Sequence, residues 1–275
     1  MLQVGAVSYL NTRPLIYGLQ QRLEGIGNLS LNLPSRLAED LAAGKLDVAL
    51  IPSVEYFRGA GRGYRVISDA AIACRGPVWS VRLLSRVPIE QIRTLALDVG
   101  SRTSAALVQV LLRRAHGISP QTVPLALEQL PESVDADAVL LIGDRAMHPP
   151  EGIYHEIIDL GQWWNRLTGL PFVFAMWVAR PGVDVQPLEG ILQQCRDDGL
   201  QHAEAIARDE AGPHGLTISD LQRYFTEHLQ FFLGADERAA LEAYRAEVVA
   251  AGLLDADCAG HSPDRATSST EHDIR

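Results

Sequence analysis

Lysine is nearly missing from this chain of 275 residues, and Lys45 is the only one. Lysine Schiff-base or pyridoxal chemistry would hang on that residue. It lies in Ala-Gly-Lys-Leu-Asp just after a helical pattern, not in the desolvated setting such chemistry needs. Cysteine is scarce too. Cys74, Cys195 and Cys258 are odd in number, far apart and in no CxxC, so neither a disulfide framework nor a zinc site is encoded. They read as small buried hydrophobes in a reducing compartment. No run approaches the 18 apolar residues of a membrane span. No basic segment or cleavage site precedes the first strand pattern, so a cytoplasmic protein is expected.

Positive charge is also in deficit: 24 Lys and Arg stand against 34 Asp and Glu, a formal net charge of −10. That argues against a nucleic-acid or anionic-membrane partner, whose phosphates need clustered cations. A small anionic ligand remains compatible, because a pocket can concentrate positive potential locally. GxGxxG, GxxxxGK[ST] and GxSxG do not occur, and the eight histidines show no HxH or HxxxH spacing. Nucleotide binding, a nucleophilic serine hydrolase and a metal site therefore lack support, and no cofactor or metal is expected.

What the chain has is ordinary globular material, 47% hydrophobic and 21% charged. The first third alternates strand and helix patterns. Strands are expected over 4–7, 29–33 and 47–51, with helices opened by Pro14 and capped by Ser35. Longer strands are expected over 64–74 and 78–85. The pattern restarts with strands at 94–98 and 138–142 around a helix opened by residues 100–104, and 173–179 is the last strong strand. From 188 to 253 everything reads helical, with Ser219 as a cap, and 255–275 reads as a disordered tail. This α/β order fits three domains in a row. It equally fits two lobes around a cleft, the C-terminal helices returning to the first: lobe 1 from 1–86 and 179–254, lobe 2 from 87–178.

Several residues could carry chemistry. Asn11, Thr12 and Arg13 follow the first strand at its carboxyl end, where open α/β sheets place ligand contacts; Asn11 could equally cap a helix. Ser101, Arg102, Thr103 and Ser104 open a helix, whose free N–H groups attract a carboxylate or phosphate, or they only cap it. Ser80 is a polar residue in an apolar run and faces either solvent or the cleft. Asp144 and Arg145 form a cleft pair or a surface turn. Thr168 and Gly169 lie in an aromatic stretch explained mostly by packing, with room for close backbone contacts to a ligand.

These residues sit in a collinear set of motifs: Val7-Ser8-Tyr9-Leu10-Asn11-Thr12-Arg13-Pro14-Leu15, Leu46-Asp47-Val48-Ala49-Leu50-Ile51-Pro52, Gly76-Pro77-Val78-Trp79-Ser80-Val81, Ser101-Arg102-Thr103-Ser104, Ile142-Gly143-Asp144-Arg145-Ala146, and Asp159-Leu160-Gly161 with Thr168-Gly169-Leu170-Pro171-Phe172. The set resembles the chorismate dehydratase family of the futalosine route to menaquinone over about residues 4–180. The resemblance implies a two-lobed, type II periplasmic-binding-protein-like α/β fold with a central cleft. It also implies cofactor-free loss of water from chorismate to give 3-[(1-carboxyvinyl)oxy]benzoate. The family's key polar pair falls on Asn11 and Ser80, and the other residues named above become substrate contacts for a dianion. A substrate carboxylate is then the expected proton acceptor, since neither motif holds a His, Glu or Lys base. A non-catalytic binding or sensor module of this fold, or the sister enzyme that closes the naphthoate ring, shares the architecture. The Ser-Tyr-Leu-Asn-Thr-Arg-Pro run favours the dehydratase.

Overall fold

The computed structural model describes residues 1–149 and 153–255; most of the expected tail, and Cys258 with it, lies outside them. The strands in chain order are β1 (Leu2–Val7), β2 (Gly27–Asn32), β3 (Val48–Pro52), β4 (Arg65–Cys74), β5 (Val81–Ser85), β6 (Thr94–Asp98), β7 (Gln121–Leu125), β8 (Ala138–Ile142), β9 (Glu156–Asp159), β10 (Phe172–Ala179) and β11 (Gln230–Phe232). They form a six-stranded sheet ordered β11-β4-β10-β3-β1-β2 and a five-stranded sheet ordered β7-β6-β8-β5-β9. The helices are α1 (Leu19–Arg22), α2 (Pro34–Ala42), α3 (Ser53–Ala60), α4 (Arg102–His116), α5 (Leu160–Thr168), α6 (Gln186–Gln201), α7 (Ala203–Glu210), α8 (Ile218–Arg223) and α9 (Ala235–Ala250).

Strands β3, β8 and β10 are continuous apolar runs because they are buried throughout. β1 pairs in parallel with β2 and β3, as the βαβ order requires. β10 returns from the other sheet and inserts antiparallel between β3 and β4. An aromatic cluster then ties α5, β10 and α9 together: Trp164 meets Tyr244 edge-on at 5.9 Å between ring centroids, and Phe172 meets it at 4.8 Å.

Four local expectations are corrected. The 78–85 strand begins only at Val81, because residues 78–80 form a tight turn described below. The all-helical reading of 188–253 misses β11, which pairs with β4; its Phe231 and Phe232 continue an apolar stripe that also suits a helix. Thr217, not Ser219, caps α8, accepting the N–H of Asp220. Ser35 lies inside α2, which Pro34 opens. The expected break at 86/87 would leave β5 with the first lobe, yet β5 pairs with β8 and β9 in the second sheet. Likewise β10 lies wholly in the first sheet from Phe172 on.

Candidate active site

Between the sheets lies a cleft whose empty space, open solvent included, is about 490 Å³. It is lined by the carboxyl ends of β1 and β3 (Val7, Pro52), by Tyr9 and Asn11, by Pro34, by Ile72, Phe174 and Ala175, and by Val78, Ser80 and Val81 of the outgoing crossing. Ser101, Ser104, Ile142 and Gly143 complete it from the other side. No lining residue carries a formal charge. The apolar members offer room for a carbocycle, and the polar members are few.

Each of three polar side chains in this wall is already accepting a hydrogen bond from a protein neighbour. Asn11 Oδ1 accepts from the hydroxyl of buried Thr12 at 3.1 Å. Ser80 Oγ accepts from Tyr224 at 2.7 Å, and Ser104 Oγ accepts from Ser101 at 3.0 Å. That leaves the Asn11 amide N–H groups and the Ser80 and Ser104 hydroxyl hydrogens free to donate, beside a second lone pair on each oxygen. The wall can therefore donate at three points. Three helix N-termini reinforce it, for Pro34, Pro52 and Ser101 stand at the starts of α2, α3 and α4. Their dipoles favour negative charge in the cleft.

Tyr9 is the titratable lining residue. Its ring lies over Gly143, where a Cβ would come within 3.1 Å of three ring atoms, and Gly143 has φ +64. Burial, with the nearby charges of Asp98 and Asp144, pushes its hydroxyl well above the usual tyrosine range. At neutral pH it is a neutral phenol. Tyr224, fully buried in a π-helical turn, is held neutral by burial as well.

The remaining expected site residues stand outside the lining. Arg13 pairs with Glu210 at 2.8 Å. Arg102 turns away to Glu39 at 2.6 Å and Glu55 at 3.2 Å. Arg145 ties down the 126–129 loop through the carbonyls of Leu127 and Gln129, at 2.8 and 3.0 Å. Asp144 accepts the N–H of Leu10 at 3.1 Å and so joins the two halves at the cleft's edge; burial raises its pKa. Thr103 is buried against Ser53 and the N–H of Val54, each at 3.3 Å. Thr168 bonds the carbonyl of Trp164 at 2.8 Å, and Gly169, at φ +71, ends α5. Tyr224 went unread in the sequence because it falls on the apolar stripe that begins at Leu221. Among the described residues no group of three or more His, Cys, Asp or Glu is placed to hold a metal ion.

The geometry is that of a two-lobed binding-protein fold with a donor-lined cleft. A Candida albicans protein described as having the generic periplasmic binding protein fold aligns with a TM-score of 0.58 at 11% identity, over 94% of this chain and 93% of that one. A protein of Archaeoglobus fulgidus aligns at 0.74 and 16% identity, over 92% and 98%. The periplasmic aliphatic sulphonate binding protein of Escherichia coli aligns at 0.63 and 14%, over 100% and 96%. Within that fold, the chain belongs to the menaquinone biosynthesis family, whose model matches residues 2–250. It is 31% identical over 260 residues to the chorismate dehydratase of Thermus thermophilus, covering 88% of this chain and 93% of the relative. To the chorismate dehydratase of Campylobacter jejuni it is 26% identical over 247 residues, 87% and 94%.

Proposed function

We propose that this protein is a chorismate dehydratase, a hydro-lyase that converts chorismate to 3-[(1-carboxyvinyl)oxy]benzoate and water. The observation that carries the reading is the uncharged cleft wall in which Asn11, Ser80 and Ser104 are each backed by a neighbour and left with donors to spare. Such a wall suits a ligand rich in acceptors, and chorismate presents two carboxylates, a hydroxyl and an ether around an apolar ring. Ser104 and the α4 N-terminus take one carboxylate. Asn11 orients the other, and Ser80 donates to the departing C4 hydroxyl.

The ring loses a proton from C3 and hydroxide from C4. The C3–H electron pair becomes the C3–C4 π bond, the C4–O bond breaks, and the ring becomes aromatic while the ether is kept. Tyr9, the titratable lining group, is held as a phenol and is unsuited to take the proton. The enolpyruvyl carboxylate is the acceptor. It reaches the C3 hydrogen through its own carboxyl carbon, vinyl carbon and ether oxygen, and the proton leaves with the hydroxide as water. The protein contributes orientation and stabilisation of the charge that develops on the leaving oxygen.

We assign residues 2–74 and 172–254 to one lobe and 81–168 to the other, following sheet membership. The free, buried thiols of Cys74 and Cys195 suit a reducing, cytoplasmic setting. No helix among the described residues is long and apolar enough to cross a membrane. Purified protein incubated with chorismate alone is expected to abolish the diene absorbance and yield a product lighter by one water in the mass spectrum. Binding of chorismate without turnover would instead make this a binding protein.

A further inference from the structure

Asp159 takes no part in the reaction above, yet it makes more hydrogen bonds than its position requires. As the N-cap of α5 it needs one acceptor, and Oδ1 receives the N–H of Gln162 at 3.0 Å. The same carboxylate also reaches across to the outgoing crossing. Both oxygens lie 3.0 Å from the N–H of Val78, and Oδ2 lies 2.6 Å from the N–H of Trp79.

Trp79 is the one non-glycine residue with positive φ, +65°, among the described residues. It is the centre of a three-residue turn closed by the N–H of Ser80 on the carbonyl of Val78 at 2.8 Å. That left-handed γ-turn is rare and strained, and it persists only where its surroundings over-determine it. A carboxylate gripping two successive N–H groups is such a surrounding, because bonds to an ionised acceptor are the strong kind. The first turn of α5 lies close enough to act: a Cβ on Gly161 would stand 2.7 Å from the carbonyl oxygen of Gly76. Beyond the turn, Ser80 reaches Tyr224 and the cleft.

We infer that Asp159 is a positioning residue, which holds Trp79 in the left-handed conformation and thereby aims the Ser80 hydroxyl at the reacting group. The inference rests on Ser80 acting as proposed above. Asp159→Asn keeps an oxygen to cap α5 and replaces the acceptor facing Trp79. It is expected to lower kcat about tenfold with KM nearly unchanged. Trp79→Gly relieves the strain, since glycine enters this conformation freely. In that background the Asp159→Asn penalty should shrink to about twofold, whatever Trp79→Gly itself costs. Equal penalties in both backgrounds, or a raised KM with kcat kept, would overturn the inference. Amide hydrogen exchange over residues 75–81 supplies a readout independent of chemistry, and Asp159→Asn should accelerate it there. If the unaltered protein leaves chorismate intact, the dehydratase reading falls. Exchange then decides on Asp159 alone, with an unchanged rate counting against it.

Discussion

Between Cys74 and Val81 the chain crosses from the six-stranded sheet to the five-stranded one with no regular structure, and between Asp159 and Phe172 it returns through α5. The return passage satisfies itself. It has a capped helix, a left-handed glycine at its end and a buried indole, whose Nε1 bonds the carbonyl of Pro171 at 2.9 Å. The outgoing passage bonds itself at one strained turn and takes the rest of its support from outside. Asp159 supplies its acceptors, and His228 lies 3.2 Å from the carbonyl of Pro77. The outgoing passage carries the cleft hydroxyl. Irregularity there is what lets Ser80 face inward, and regularity in its neighbour holds it so.

The comparison breaks most completely at Ser80. Ser80→Ala is expected to cut kcat by about 10²–10³, the usual loss of one donor aimed at developing charge. It should also lower Tm, because the Tyr224 hydroxyl, buried and left without its acceptor, costs about 1–3 kcal/mol. Steady-state assays and thermal melts read the two effects separately. Tyr224→Phe comes next. The ring contact with Trp79 at 5.6 Å is kept and the polarising hydroxyl is lost. A fall in kcat of about tenfold is expected, with stability lowered by about 1 kcal/mol.

Gly169→Ala sharpens the contrast from the regular side. An added Cβ there meets nothing within 4 Å, so its cost is the left-handed backbone alone, about 1–2 kcal/mol. Melting should drop while kcat and KM stay unchanged; a raised KM would instead restore Thr168 and Gly169 as ligand contacts. The smallest effect concerns Asp98, whose side chain is fully buried with Arg145 3.7 Å away. Burial raises its pKa above the ordinary carboxylate range. A carboxyl that binds its proton more tightly when folded favours folding at low pH, and that advantage fades as pH rises from the unfolded value through the raised one. Asp98→Asn should flatten this part of the Tm–pH curve.

Much of this arrangement is legible in the residues. β6 and β8 are read with their full bounds, 94–98 and 138–142, because short apolar runs flanked by turn residues have one plausible structure. Asn11, Ser101 and Ser104 are picked out beside a strand end or a helix start and Ser80 as a polar residue in an apolar run, and all four line the cavity. The arginines are another matter. Sequence shows that Arg13, Arg102 and Arg145 are charged, but their partners Glu210, Glu39, Glu55 and the 126–129 carbonyls lie far along the chain. Only the fold brings them together. Trp79 has no local mark of its conformation, since a tryptophan in an apolar run reads as extended strand. Tyr224 reads as one more member of the apolar stripe that begins at Leu221, so nothing local marks its hydroxyl as the partner of Ser80.

The 144 positions that separate Ser80 from Tyr224 have a further consequence for how the protein comes into being. At about 5–20 residues per second a ribosome needs roughly 7–30 s to travel that far. During that interval β5 to β10 are made, and the serine has no hydroxyl behind it. A nascent chain can thus assemble the cleft wall before it can polarise the group that the wall presents. The bond between Ser80 and Tyr224 forms late in synthesis, from a helical turn outside the cavity lining.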